Sequence, residues 1–111
     1  MAAPKYGVLL TKGAEQDLES IYDYIAEFDS RKNANHVLNQ LTKIIDNLSR
    51  SPERGNYPKE LSAVGVREYR QTFFKPYRII YRIVQTNVII YVIADGRRDM
   101  QSVLARRLLG A

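Results

Sequence analysis

The sequence predicts an α+β fold in which a helical hairpin packs on one face of a small, mainly antiparallel sheet, in the order β-α-α-β-β-β-α. Three observations predict it. Apolar residues recur at helical spacing through two segments separated by Asp29-Ser30, the spacing becomes strand-like from Val66, and the turn-forming segments Lys75-Pro76 and Gln85-Thr86-Asn87 cut the second half into three runs.

Lys5 to Leu10 reads as a short strand, and Thr11 is placed to cap a helix running to about Phe28, in which Ala14, Leu18, Ile21, Ile25 and Phe28 recur at steps of four and three. Asp29 and Ser30 break that pattern and offer a cap for a second helix. Its stripe is Ala34, Val37, Leu38, Leu41, Ile44, Ile45 and Leu48, and it is expected to end near Arg50. Pro52 cannot continue a helix, and Gly55 with Pro58 makes the next stretch a loop. Two long helices joined by so few residues pack antiparallel.

A three-stranded meander follows, VREYRQTFF, YRIIYRIV and VIIYVIAD. In the middle run Tyr77, Ile79, Tyr81 and Ile83 point one way, and Arg78, Ile80, Arg82 and Val84 the other. Val88 to Ala94 is apolar without interruption, as a central strand covered on both faces requires, and the N-terminal strand is expected to pair beside it. Asp99 is placed to cap a short last helix whose apolar edge is Met100, Val103, Leu104 and Leu108, with Gly110 beyond its end.

At 111 residues without a linker-like stretch, residues 1–111 are expected to form a single domain. There is no cysteine, which excludes disulfides and thiolate metal sites and fits a reducing compartment. No apolar stretch approaches the ~20 residues of a membrane span, and the opening residues are too short in apolar character for a signal peptide, so the expected location is cytoplasmic, away from membranes. The formal net charge of +5 is unevenly spread: residues 1–29 carry two basic and six acidic side chains, and the remainder fifteen and six. The second half therefore presents the cationic surface, suited to steering polyanions or acidic proteins.

Few residues offer catalytic chemistry. His36, the sole histidine, lies off the apolar stripe of its helix and is expected in solvent, and no second His or Cys completes a triad or a nitrogen or sulfur metal cluster. Phosphate-cradling glycine motifs are absent, and neither cofactor nor metal is expected. Glu15, Glu19, Asp23 and Glu27 form a carboxylate column along ~18 Å of helix and do not converge on a point.

The arginines say more. Arg70, Arg78 and Arg82 lie on strands, as either a solvated sheet face or a cationic patch for phosphates or carboxylates. Arg97 and Arg98 at the end of the central strand, with Arg106 and Arg107 on the terminal helix, form a second candidate cluster for target binding. Cations near that helix's C-terminus also suit its dipole. The strand tyrosines Tyr69, Tyr77, Tyr81 and Tyr91 read as packing residues before a base-stacking platform.

The order of elements and a set of motifs resemble the ParE toxins of the broader RelE/ParE family of bacterial toxin and antitoxin pairs. The resemblance rests on the opening strand running into LTKGAEQDLESIYDYI, the SPERGNYP loop followed by Glu60-Leu61, Tyr69-Arg70, Tyr77-Arg78-Ile79-Ile80-Tyr81, and Gly96-Arg97-Arg98-Asp99. It implies a toxin that disables DNA gyrase without being an enzyme and is held inactive by a co-expressed ParD-like antitoxin. Relatives in the same family are ribosome-dependent mRNA endonucleases, which need several basic side chains around the scissile phosphate and a Tyr or His near the C-terminus for acid/base work. Arg70, Arg78 and Arg98 fit basic positions of that pattern. Thr72 stands in place of a second strand lysine, Leu104 stands where the aromatic or imidazole group belongs, and no Tyr or His follows Tyr91. A nucleic-acid-binding regulator is a third reading. It rests on net charge alone, because neither hairpin helix carries a dense basic face.

Overall fold

The computed structural model describes residues 5–110. The chain runs β1 (Gly7–Leu10), α1 (Lys12–Phe28), α2 (Arg31–Asn47), a 3-10 turn (Pro52–Arg54), α3 (Lys59–Ser62), β2 (Arg70–Phe74), β3 (Tyr77–Val84), β4 (Asn87–Asp95) and α4 (Met100–Leu108). The strands form one mixed sheet in the order β1-β4-β3-β2, with β1 parallel to β4 and the rest antiparallel. Among the described residues, no helix is long and apolar enough to cross a membrane.

Local chemistry explains the helix boundaries. The Thr11 hydroxyl accepts from the Ala14 N–H at 3.1 Å, Ser30 from Asn33 at 3.0 Å and Asp99 from Ser102 at 3.3 Å, each satisfying an otherwise orphaned donor in the first turn. Asp29 is not the cap of α2; its carboxylate accepts instead from the Asn33 side chain.

The hairpin covers one sheet face. Ala14, Ile25, Ala34, Val37, Leu41 and Ile45 meet Ile79, Tyr81, Val88, Ile90 and Ile93 in one core. The opposite face carries a second core, in which Leu61, Ile80, Val92, Ala94, Met100, Val103 and Leu104 pack under α3 and α4. β4 serves both by alternation, and a bulge switches which of its residues face the hairpin. Ile80 pairs with Val92 and Tyr81 with Ile90, so Tyr91 has no partner on β3, and the inward set changes from Val88 and Ile90 to Ile93.

Several expected features differ in detail. The first strand begins at Gly7, α2 ends at Asn47 with a turn over the next residues, and the run from Val66 becomes a strand only at Arg70. Residues expected as loop contain α3, whose four residues are too few to show a period. Phe28, expected in the core stripe, is 69% exposed, its ring tilted against that of Tyr24 with centroids 4.8 Å apart, although Ile25 in the same turn is buried in the core.

Candidate functional site

The three strand arginines do not form one patch. Arg70 lies directly across from Tyr81, so its side chain leaves the sheet on the hairpin side, while Arg78 and Arg82 alternate with Tyr81 and leave on the other. Each is also engaged within the chain. Arg78 is 8% exposed; its Nη1 and Nη2 donate to the two Glu60 carboxylate oxygens at 2.8 Å each, and its Nε and Nη2 donate to Gln71 Oε1. A side chain at Gly96 would put its Cβ 2.8 Å from Arg78 Cδ, so that glycine leaves room for the arginine stem. The hydrogen bonds from Arg78 hold the Glu60 carboxyl below its ordinary value despite the opposing effect of burial.

Arg70 donates to the carbonyls of Glu53 and Gly55 and to the Tyr57 hydroxyl, and its guanidinium lies 4.8 Å from the Tyr57 ring centroid. It pins the loop before α3, together with Tyr81, whose buried hydroxyl donates to the Pro52 carbonyl at 2.6 Å and accepts from the Gly55 N–H. Arg82 makes an open pair with Glu68 at 3.4 Å.

The second arginine set is also divided. Arg97 and Arg98 precede α4, whereas Arg106 and Arg107 occupy its last turn, ~12 Å further on at the usual helical rise. Arg107 is a structural group: it forms a two-pronged pair with Asp17 at 3.0 and 2.9 Å and donates to the Tyr91 carbonyl. Asp17 Oδ2 also accepts from the Ile93 N–H at 2.9 Å. The pair thus partners β4 backbone groups that lie beyond Ile90, where pairing with β1 ends, and fastens α4 to α1.

Arg97 chelates Asp95, its Nη2 2.6 Å from Oδ2, and that hydrogen bond lowers the Asp95 carboxyl from its ordinary value; the Arg97 side chain stays 78% exposed. Arg98 and Arg106 are exposed and make no side-chain hydrogen bond or ion pair among the described residues. Arg97 and Arg98 border an open groove of about 420 Å³ between α1 and the end of β4, floored by Ile21, Ile25, Tyr77 and Ile93, with Tyr24 on its wall. The groove was not visible in the sequence, since its two sides come from residues 17–25 and 77–98.

His36 is exposed on α2, its ring in an edge-to-face arrangement with Phe74, centroids 6.5 Å apart. Leu104 is fully buried in the second core. Burial raises the Tyr69, Tyr77 and Tyr81 hydroxyls above their ordinary values, so they hold their protons at neutral pH. Among the described residues no group of His, Cys, Asp or Glu is arranged to hold a metal ion.

The class is α+β: a helical hairpin on one face of a four-stranded mixed sheet, with two short helices on the other. By the match of residues 8–100 to the ParE toxin of the type II toxin–antitoxin system parDE, the chain belongs to that family. It is 27% identical over 100 residues to Toxin ParE3 of Caulobacter vibrioides, covering 90% of this chain and 96% of that protein. Its fold is shared with a chain of the chromosomal ParDE toxin–antitoxin system from P. aeruginosa, at TM-score 0.69 and 17% identity over 84% of this chain and 98% of that one. It is also shared with a mutant of E. coli toxin RelE in the free state, at TM-score 0.62 and 14% identity over 94% and 98%.

Proposed function

We propose that this toxin acts by binding DNA gyrase, so blocking replication, that it is not an enzyme, and that a cognate ParD-like antitoxin neutralises it. The observation that carries the reading is the fate of the positions a nuclease would need. Leu104 is sealed in the second core and Arg78 is held by Glu60 and Gln71, so neither is available to a scissile phosphate. A general acid or base must reach its proton within ~3 Å, and His36 stands on an outward helix face.

A binder has no such requirement. The groove offers a target an apolar floor bordered by Arg98, which has no ion pair among the described residues, and by the Arg97–Asp95 pair, with Arg106 adding exposed charge at the far end of α4. The test pairs two assays on the purified protein. Gyrase supercoiling should be inhibited while mRNA on translating ribosomes stays intact; cut mRNA with gyrase untouched would reverse the assignment in favour of the ribosome-dependent endonuclease, the reading that the shared fold with RelE keeps in view.

A further inference from the structure

β2 is an outer strand of the sheet, and its backbone is only partly covered. Gln71 donates its N–H away from β3, to the Asn56 carbonyl at 2.8 Å, in an isolated antiparallel bridge. Because outward and inward groups alternate along a strand, Arg70, Thr72 and Phe74 face β3 and Phe73 turns its N–H and C=O outward with Gln71. Those Phe73 groups have no hydrogen-bond partner among the described residues. Such an edge is a template for another strand unless charge, proline or a covering segment blunts it. Asn56 covers the Gln71 rung and Pro76 lies beyond Phe74, so the Phe73 rung is left open.

The groove beside this edge, about 520 Å³, lies between β2, the C-terminal turn of α2 and the 51–56 segment. Arg50 and Arg54 line it, both exposed and neither in an ion pair among the described residues, and no Asp or Glu side chain lines it. Phe73 adds an aromatic ring that is 46% exposed. We propose that this edge docks an extended, acidic segment of a partner protein, which pairs its backbone with Phe73 in line with Asn56 and sets its carboxylates against Arg50 and Arg54. The open backbone rung selects a peptide over a nucleic acid, because a phosphodiester chain has no alternating donors and acceptors to match it. The two unopposed guanidiniums select an acidic peptide over a basic one. The site is separate from the Arg97–Arg98 groove, and its occupancy does not depend on the gyrase reading.

The probe is a short synthetic peptide alternating Asp with Val, compared with the same peptide carrying Lys for Asp and with a single-stranded RNA oligonucleotide, each titrated into the full chain and followed by amide NMR. The acidic peptide should shift the Phe73 amide and slow its hydrogen exchange, and its affinity should fall about tenfold in Arg50→Glu/Arg54→Glu, whose exposed sites leave the fold intact. Equal binding of the Lys peptide, an unmoved Phe73 amide, an affinity unchanged by the double charge reversal, or RNA binding at these residues without peptide binding would each overturn the proposal.

Discussion

Arg78 on β3 and Glu60 in α3 meet through two parallel hydrogen bonds of 2.8 Å, with side chains only 10% and 14% exposed, and this pair turns a candidate functional arginine into a brace beneath the second core. Truncating one member leaves the other charged and nearly buried. Glu60→Ala is therefore expected to cost about 3 kcal/mol in urea denaturation. A cost near zero would mean that the pair is open to solvent.

The same pair sets a pH dependence. The Glu60 carboxyl is lowered in the folded chain by its hydrogen bonds from Arg78, so its contribution is fully present above the unfolded value near 4.5 and is lost as pH falls through the lower folded value. Glu60→Gln should thus be less stable than wild type at neutral pH, with the gap closing only below the ordinary glutamate range. A gap that closed above that range would assign the effect to another group.

Leu41 is fully buried between the hairpin and the sheet, so Leu41→Ala should cost ~2 to 5 kcal/mol. An unchanged denaturation midpoint would contradict the docking of α2.

The Tyr81 hydroxyl lies in a fully buried side chain and bridges the Pro52 carbonyl and the Gly55 N–H, and a Cβ at Gly55 would also lie 2.6 Å from the Gln71 carbonyl. Tyr81→Phe should lose about 1–3 kcal/mol by leaving the Pro52 and Gly55 groups short of a partner. Gly55→Ala should destabilise as well, because backbone cannot give way as a flexible side chain can. Both effects are read from thermal midpoints.

Arg97→Ala combined with Arg98→Ala should weaken gyrase inhibition without moving the thermal midpoint, since both side chains are exposed. His36→Ala should leave inhibition unchanged. Arg107→Ala serves as the contrast: it breaks the Asp17 pair, so it should lower stability first and inhibition only as a consequence. Inhibition insensitive to Arg97 and Arg98 would move the target surface elsewhere.

Antitoxin binding should divide by physical cause. Apolar burial sets how long the complex lasts and the basic second half of the chain speeds encounter, so added salt should slow association more than it hastens dissociation. Stopped-flow traces showing the reverse would argue for buried ion pairs as the main hold.

The sequence by itself determined the order of the major elements, because the signals are local. Thr11, Ser30 and Asp99 cap helices within three residues of themselves, the stripe from Ala34 to Leu48 repeats at helical period, and the alternation through Tyr77–Val84 separates two faces. It also gave the cationic second half and the outward His36. The tertiary structure alone decided which arginines remain free. Arg78 is claimed by Glu60 eighteen positions away and Arg107 by Asp17 ninety positions away, and the stretch of β4 beyond the end of β1 supplies the backbone groups that the Asp17 pair also engages. Spacing along a chain reports neighbours one turn or one rung away; it carries no record of a guanidinium meeting a carboxylate across a folded sheet. For the same reason the Arg97–Arg98 groove and the open rung at Phe73 emerge only once α1, β2 and β4 are set side by side.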